Sequence, residues 1–88
     1  MGELGVRLKA LRTALHLSQE TLAERSGIDR PYLSRLETGD VQGRSWSIRE
    51  HLAHGLGLPL ELLAQYLDGS VELDRITMYL QRHEHIDI

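Results

Sequence analysis

The stretch Leu17-Ser18-Gln19-Glu20-Thr21-Leu22-Ala23-Glu24-Arg25-Ser26-Gly27-Ile28-Asp29-Arg30-Pro31-Tyr32-Leu33-Ser34-Arg35-Leu36-Glu37-Thr38-Gly39 decides the fold. Ser18 is a good helix N-cap, because its short oxygen-bearing side chain can satisfy a free N–H of the first turn, which Gln19 and Glu20 fill. Leu22 and Ala23 face inward. The helix ends near Ser26, with Gly27 where a left-handed residue is needed. Ile28 bridges inward and Asp29 caps the next helix. Pro31 falls at its second position, where a missing N–H costs nothing. Leu33 and Leu36 are the core contacts of this helix, and Gly39 ends it. The reading is two short helices at a steep angle, joined by Gly27-Ile28-Asp29 and held by Ile28 and Leu33.

The same periodicity extends to both sides. Leu4, Leu8, Leu11 and Leu15 form one stripe of a first helix from about residue 3 to 15, whose opposite face carries Arg7, Lys9 and Thr13. After a polar loop from Asp40 to Ser45, Ser47 caps a fourth helix that turns Ile48, Leu52, Ala53 and Leu56 inward before Gly57. Leu58-Pro59 opens a fifth helix holding Leu62, Leu63, Tyr66 and Leu67, closed by Asp68-Gly69. The last segment, about Val71 to His83, places Leu73, Ile76, Tyr79 and Leu80 on one side. Strand-like alternation occurs in His85-Ile86-Asp87-Ile88, which is too short to count. The expected class is all-α: a five-helix domain over residues 1–69, then a sixth helix and tail over residues 70–88.

Composition narrows the function. The chain has 88 residues, 41% of them apolar and 26% charged, so it is one small domain with a thin core rather than a disordered chain. It has no cysteine, which removes disulfides and thiolate zinc sites as staples. No apolar run approaches the ~20 residues of a membrane span, and the N-terminus lacks a signal peptide's basic and apolar regions. The expectation is a soluble, cytoplasmic protein with no membrane partner. The net charge is −3, the wrong sign for a simple nucleic-acid argument, but it is unevenly spread. The first fifty residues carry +1 and the remainder −4, a mildly basic front and an acidic back. That layout suits a protein that meets an anion with one face and something else with the other.

The two central helices have the arrangement of a helix-turn-helix, although any corner of two helices could share it. Further residues make the match specific: Leu11-Arg12, the run from Leu17 to Ala23, the run from Gly27 to Gly39, and Leu56-Gly57-Leu58-Pro59 leading into Leu62-Leu63. Over about residues 4 to 67 the chain resembles the phage-repressor type of helix-turn-helix family, also called lambda-repressor-like or XRE. The resemblance implies double-stranded DNA as partner, with a recognition helix of about residues 29–38 in the major groove. Arg30, Pro31, Ser34 and Arg35 lie on its exposed side. Arg30 and Arg35 could each grip guanine O6 and N7 through a bidentate fork. Tyr32 either touches a phosphate or thymine methyl or packs between helices. Ser18 and Gln19 start a helix whose free N–H groups can hold a backbone phosphate, and Gln19 in the family braces both phosphate and recognition helix. Arg44, in the Gln42-Gly43-Arg44-Ser45 loop, is a phosphate or minor-groove candidate, or else a solvated loop charge. Arg12 and Glu37 match positions that pair across the first and third helices. Trp46 departs from the pattern, and capping the core is the favoured role over wedging against a sugar-phosphate.

One such unit makes few base contacts, so a homodimer reading an inverted repeat is expected. The apolar residues left over, Leu62, Tyr66, Leu73, Ile76, Tyr79 and Leu80, are assigned to the dimer interface; the alternative is a sixth helix folded back on its own core. No cofactor, metal or catalytic group is expected. His83-Glu84-His85 and the pair His51 and His54 are too weak for a metal site, and the serines are caps or turn residues. The leading reading is a small transcriptional regulator, most simply a repressor acting by occupancy, and not an enzyme. The alternative is an antitoxin or other interaction module whose acidic C-terminal part binds a protein partner.

Overall fold

The computed structural model describes residues 3–42 and 45–84. Six helices follow in order: α1 (Glu3–Ala14), α2 (Gln19–Ser26), α3 (Arg30–Thr38), α4 (Trp46–Leu56), α5 (Leu60–Leu67) and α6 (Leu73–Glu84). There is no strand among the described residues, and the class is all-α. The leucine stripe of α1 buries Leu8 and Leu11 completely, and Leu22, Leu33, Leu36, Leu52, Leu63 and Ile76 complete the innermost core. α1 packs on α3, α2 on α3 and α4, and α5 on α1, α4 and α6. The core thus runs through all six helices, and Ile76 makes α6 part of it.

Local chemistry sets the boundaries. Ser18 Oγ accepts the Thr21 N–H at 3.0 Å, capping α2. At its other end Gly27 takes φ +68°, and the Ile28 N–H returns to the Ala23 carbonyl at 3.0 Å while the Ile28 side chain enters the core. α1 ends differently: His16 occupies the left-handed region at φ 60° without being a glycine. Two expected caps differ. Asp29 holds the N-cap position of α3, but its side chain makes no capping bond. Ser47 lies inside the first turn of α4, which begins at Trp46 with Ser45 at the cap.

Two glycines inside helices allow the tightest contacts. A Cβ on Gly5 would stand 2.2 Å from the Leu36 carbonyl oxygen and 2.7 Å from that of Glu37, so α1 rests directly on the backbone of α3. A Cβ on Gly55 would stand 2.0 Å from Ser26 Oγ, where α4 meets the end of α2. Alanine at position 5 gains about 1 kcal/mol of helix propensity, but its overlap with backbone carbonyls is relieved only by moving α1 off α3. Gly5→Ala is therefore expected to destabilise the domain by about 1–3 kcal/mol and lower Tm by several degrees in a thermal melt.

Arg7, expected on the solvent face of α1, is drawn inward. Its guanidinium stacks 4.4 Å above the Tyr66 ring. Nε donates to the Tyr66 carbonyl and Nη2 donates to the Val71 carbonyl. In return the Tyr66 hydroxyl donates to the Arg7 carbonyl at 2.7 Å. This reciprocal clamp ties α1 to the α5–α6 junction. Burial pushes the Tyr66 phenol above its usual value, against an opposing pull from Arg7. Folding then favours the neutral phenol, so its contribution is complete below pH about 10 and is lost as pH rises through the folded-state value. Tyr66→Phe should cost about 1 kcal/mol at neutral pH and flatten the alkaline fall of Tm relative to the parent chain.

Candidate nucleic-acid interface

α3 is a nine-residue helix with one face inward and one outward. Leu33, Leu36 and Glu37 are buried, while Arg30, Pro31, Arg35 and Thr38 are exposed and Ser34 is half-buried. At 100° per residue, Pro31, Ser34, Arg35 and Thr38 form a single outward ridge. Arg30 stands about 140° around the axis from Arg35, at the flank of the first turn. The two cations therefore do not lie on one stripe. Among the described residues neither is held in an ion pair, so both guanidinium forks are available to an external acceptor. Thr38 is not among the contact residues expected from the sequence, although its spacing of four from Ser34 and seven from Pro31 marks the ridge.

A buried polar cluster fixes the pitch of this helix. Arg12 Nε donates to Glu37 Oε2 at 2.6 Å, and Arg12 Nη2 to Glu37 Oε1 at 3.0 Å. The remaining Arg12 nitrogen donates to the Leu17 carbonyl at 2.7 Å, and Gln19 Nε2 donates to Glu37 Oε1 at 3.0 Å. Four segments meet on one carboxylate and one guanidinium: α1, the connection after it, the start of α2 and the end of α3. Gln19 is half-buried and committed to α3, whereas Ser18 is exposed at the cap. Such a bidentate pair supplies direction more than net stability, because desolvation cancels much of its attraction.

The other expected residues divide. Tyr32 is half-buried against the core and shares a shallow groove with Ile28, Ile48 and His51. Arg44 lies outside the described residues. Trp46 does not cap the core: the leucines already fill it, and the indole is 54% exposed at the start of α4. Leu62, Tyr66 and Ile76, assigned to a dimer interface, are 7%, 3% and 0% exposed within the chain's own core. α6 folds back on that core, which is larger than a five-helix count suggests. Leu73, Tyr79 and Leu80 remain half-buried at its edge. Among the described residues no group of three His, Asp or Glu side chains could hold a metal ion. No helix there is long and apolar enough to cross a membrane.

The family model described as a helix-turn-helix domain matches residues 3–66, from the start of α1 to the last turn of α5. The chain belongs to the helix-turn-helix domain family. Among solved structures it is similar to the restriction-modification controller protein C.AhdI from Aeromonas hydrophila, at 42% identity over 70% of this chain and 92% of that one, with a TM-score of 0.64. It is also similar to the clp gene regulator ClgR from C. glutamicum, at 29% identity over 82% of this chain and 92% of that one, with a TM-score of 0.65. No curated protein matches the chain. Family membership and the two regulators that the chain resembles support DNA-binding transcriptional regulation.

Proposed function

We propose that this helix-turn-helix chain is a sequence-specific double-stranded DNA-binding regulator that lays α3 in the major groove. The carrying observation is the outward ridge of α3, with Arg35 and the flanking Arg30 exposed and free of ion pairs among the described residues. Arg35 reads a guanine edge through its bidentate fork. Arg30 reaches the first base or its phosphate from the flank, and Ser34 and Thr38 offer hydroxyls to the same groove. Ser18, exposed at the α2 cap, meets a backbone phosphate, and Gln19 holds α2 against α3 through Glu37. Arg44 and the exposed Trp46 are assigned to the backbone alongside. The controller and regulator named among the solved structures support the regulatory role.

The regulator acts as a homodimer on an inverted repeat and represses by occupying a promoter, without chemistry. Half-sites about 34–36 Å apart would each receive one α3. The interface is assigned to α6 through Leu73 and Tyr79, whose partial burial leaves apolar surface for a partner, while Leu80 faces the ends of α1, α2 and α4. Residues 1–69 form the DNA-binding unit and residues 70–88 the assembly segment. Selection from a random duplex library at about 150 mM salt tests this reading, because nonspecific affinity there is only roughly 10⁻⁴–10⁻⁶ M. Enrichment of an inverted repeat is expected. Enrichment of nothing would make α3 a protein-docking surface instead. In sedimentation velocity, Leu73→Glu/Tyr79→Glu should shift the chain to monomer while its helical circular dichroism stays.

A further inference from the structure

The C-terminal half of α6 touches the core through the half-buried Tyr79 and Leu80. Between it and the ends of α1, α2 and α4 runs a groove of about 550 Å³. Its apolar wall is built from Leu15, Leu17 and Leu56 on the domain side and Leu80 on α6. Arg25, in the last turn of α2, and His83, in the last turn of α6, stand at its edge. No carboxylate is found among its described lining residues, although the chain as a whole has a net charge of −3. Arg25 is exposed and has no ion-pair partner among the described residues.

From these features we infer a binding site for a small amphipathic organic anion, an apolar body ending in a carboxylate or sulfonate. The volume falls in the range of about 300–1,000 Å³ typical of small-molecule sites. The leucines bury the apolar body and the guanidinium of Arg25 takes the acid group through charge-assisted hydrogen bonds. His83 also lines the groove, its ring stacked on Tyr79 and its Nδ1 turned to the Tyr79 carbonyl at 2.9 Å. Inorganic phosphate would satisfy Arg25 but leave the leucines wet, so an apolar body is required. The site is separate from the α3 ridge and is tested without DNA, so its failure and that of the DNA-binding reading are distinguishable.

The full chain is titrated with 8-anilinonaphthalene-1-sulfonate, read by fluorescence, and the bound probe is then displaced with decanoate. Saturable binding of a single probe per chain is expected, with displacement by decanoate. Arg25→Gln should weaken it about tenfold. Thr77→Trp, which places a large side chain in the groove, should abolish it, both variants keeping the parent's circular dichroism. Non-saturable binding, or equal affinity in parent and both variants, would overturn the assignment. So would binding that disappears as the chain self-associates, since a second copy would then occupy the groove.

Discussion

Glu37→Ala should lower the melting temperature more than either Gly5→Ala or Tyr66→Phe. Glu37 is 2% exposed at its side chain and Arg12 is 11% exposed. Removing the carboxylate leaves a guanidinium in the interior with two of its three donor contacts gone, and it also strands Gln19. Breaking a buried pair by deleting one partner costs about 3–5 kcal/mol, because the remaining charge keeps its desolvation penalty. The whole stability of a domain this size is about 5–15 kcal/mol. At about 4–8 °C per kcal/mol, the melting temperature should fall by at least about 12 °C. A companion substitution separates the pair's presence from its net worth. Replacing both partners, as Arg12→Met/Glu37→Leu, should recover most of the loss, since an apolar pair carries no desolvation penalty. An unchanged melting temperature for Glu37→Ala would contradict the burial and contacts of this cluster.

The second large effect concerns binding. Each bidentate contact of an arginine with a guanine is worth about 1–3 kcal/mol of discrimination. Removal of both Arg30 and Arg35 should therefore cost at least about 2 kcal/mol per half-site, or about 4 kcal/mol and roughly 10³-fold in Kd on a selected operator of two half-sites. Both side chains are exposed and free of ion pairs among the described residues, so the same double substitution should leave the stability within about 0.5 kcal/mol of the parent. That separation matters. A variant that loses DNA binding by unfolding says nothing of α3, whereas this one keeps the Arg12–Glu37–Gln19 cluster that sets the helix's pitch. Arg35→Ala alone should carry the larger share, because Arg35 lies on the outward ridge and Arg30 on its flank.

The helices are legible in the sequence because their signals are local: a leucine every third or fourth residue, a serine before α2, a glycine after α2, α3 and α4. The pairing of Arg12 with Glu37 is reachable through family resemblance alone, since twenty-five positions separate the two residues and no local pattern links them. What escapes the sequence depends on distant contacts. Gly5 and Gly55 look like weaknesses in their helices until the backbone of α3 and the end of α2 arrive against them. Arg7 sits on the polar side of the α1 wheel, yet its long side chain reaches residues 66 and 71. Size alone points Trp46 toward the core, but the leucines fill that space without it. Leu62, Tyr66 and Ile76 look surplus while the sixth helix is treated as an appendage; once α6 joins the core they are required there. Thr38 is given no contact because the resemblance weights the first turns of the recognition helix.

The most direct test of the central claim is the affinity of the parent chain and of Arg30→Ala/Arg35→Ala for a selected operator and for a scrambled duplex of equal length, at one salt concentration. The account predicts that the parent prefers the operator by at least about 10³-fold and that the double variant loses most of this preference while melting normally. Equal preference in the two proteins would contradict it, because sequence would then be read somewhere other than α3.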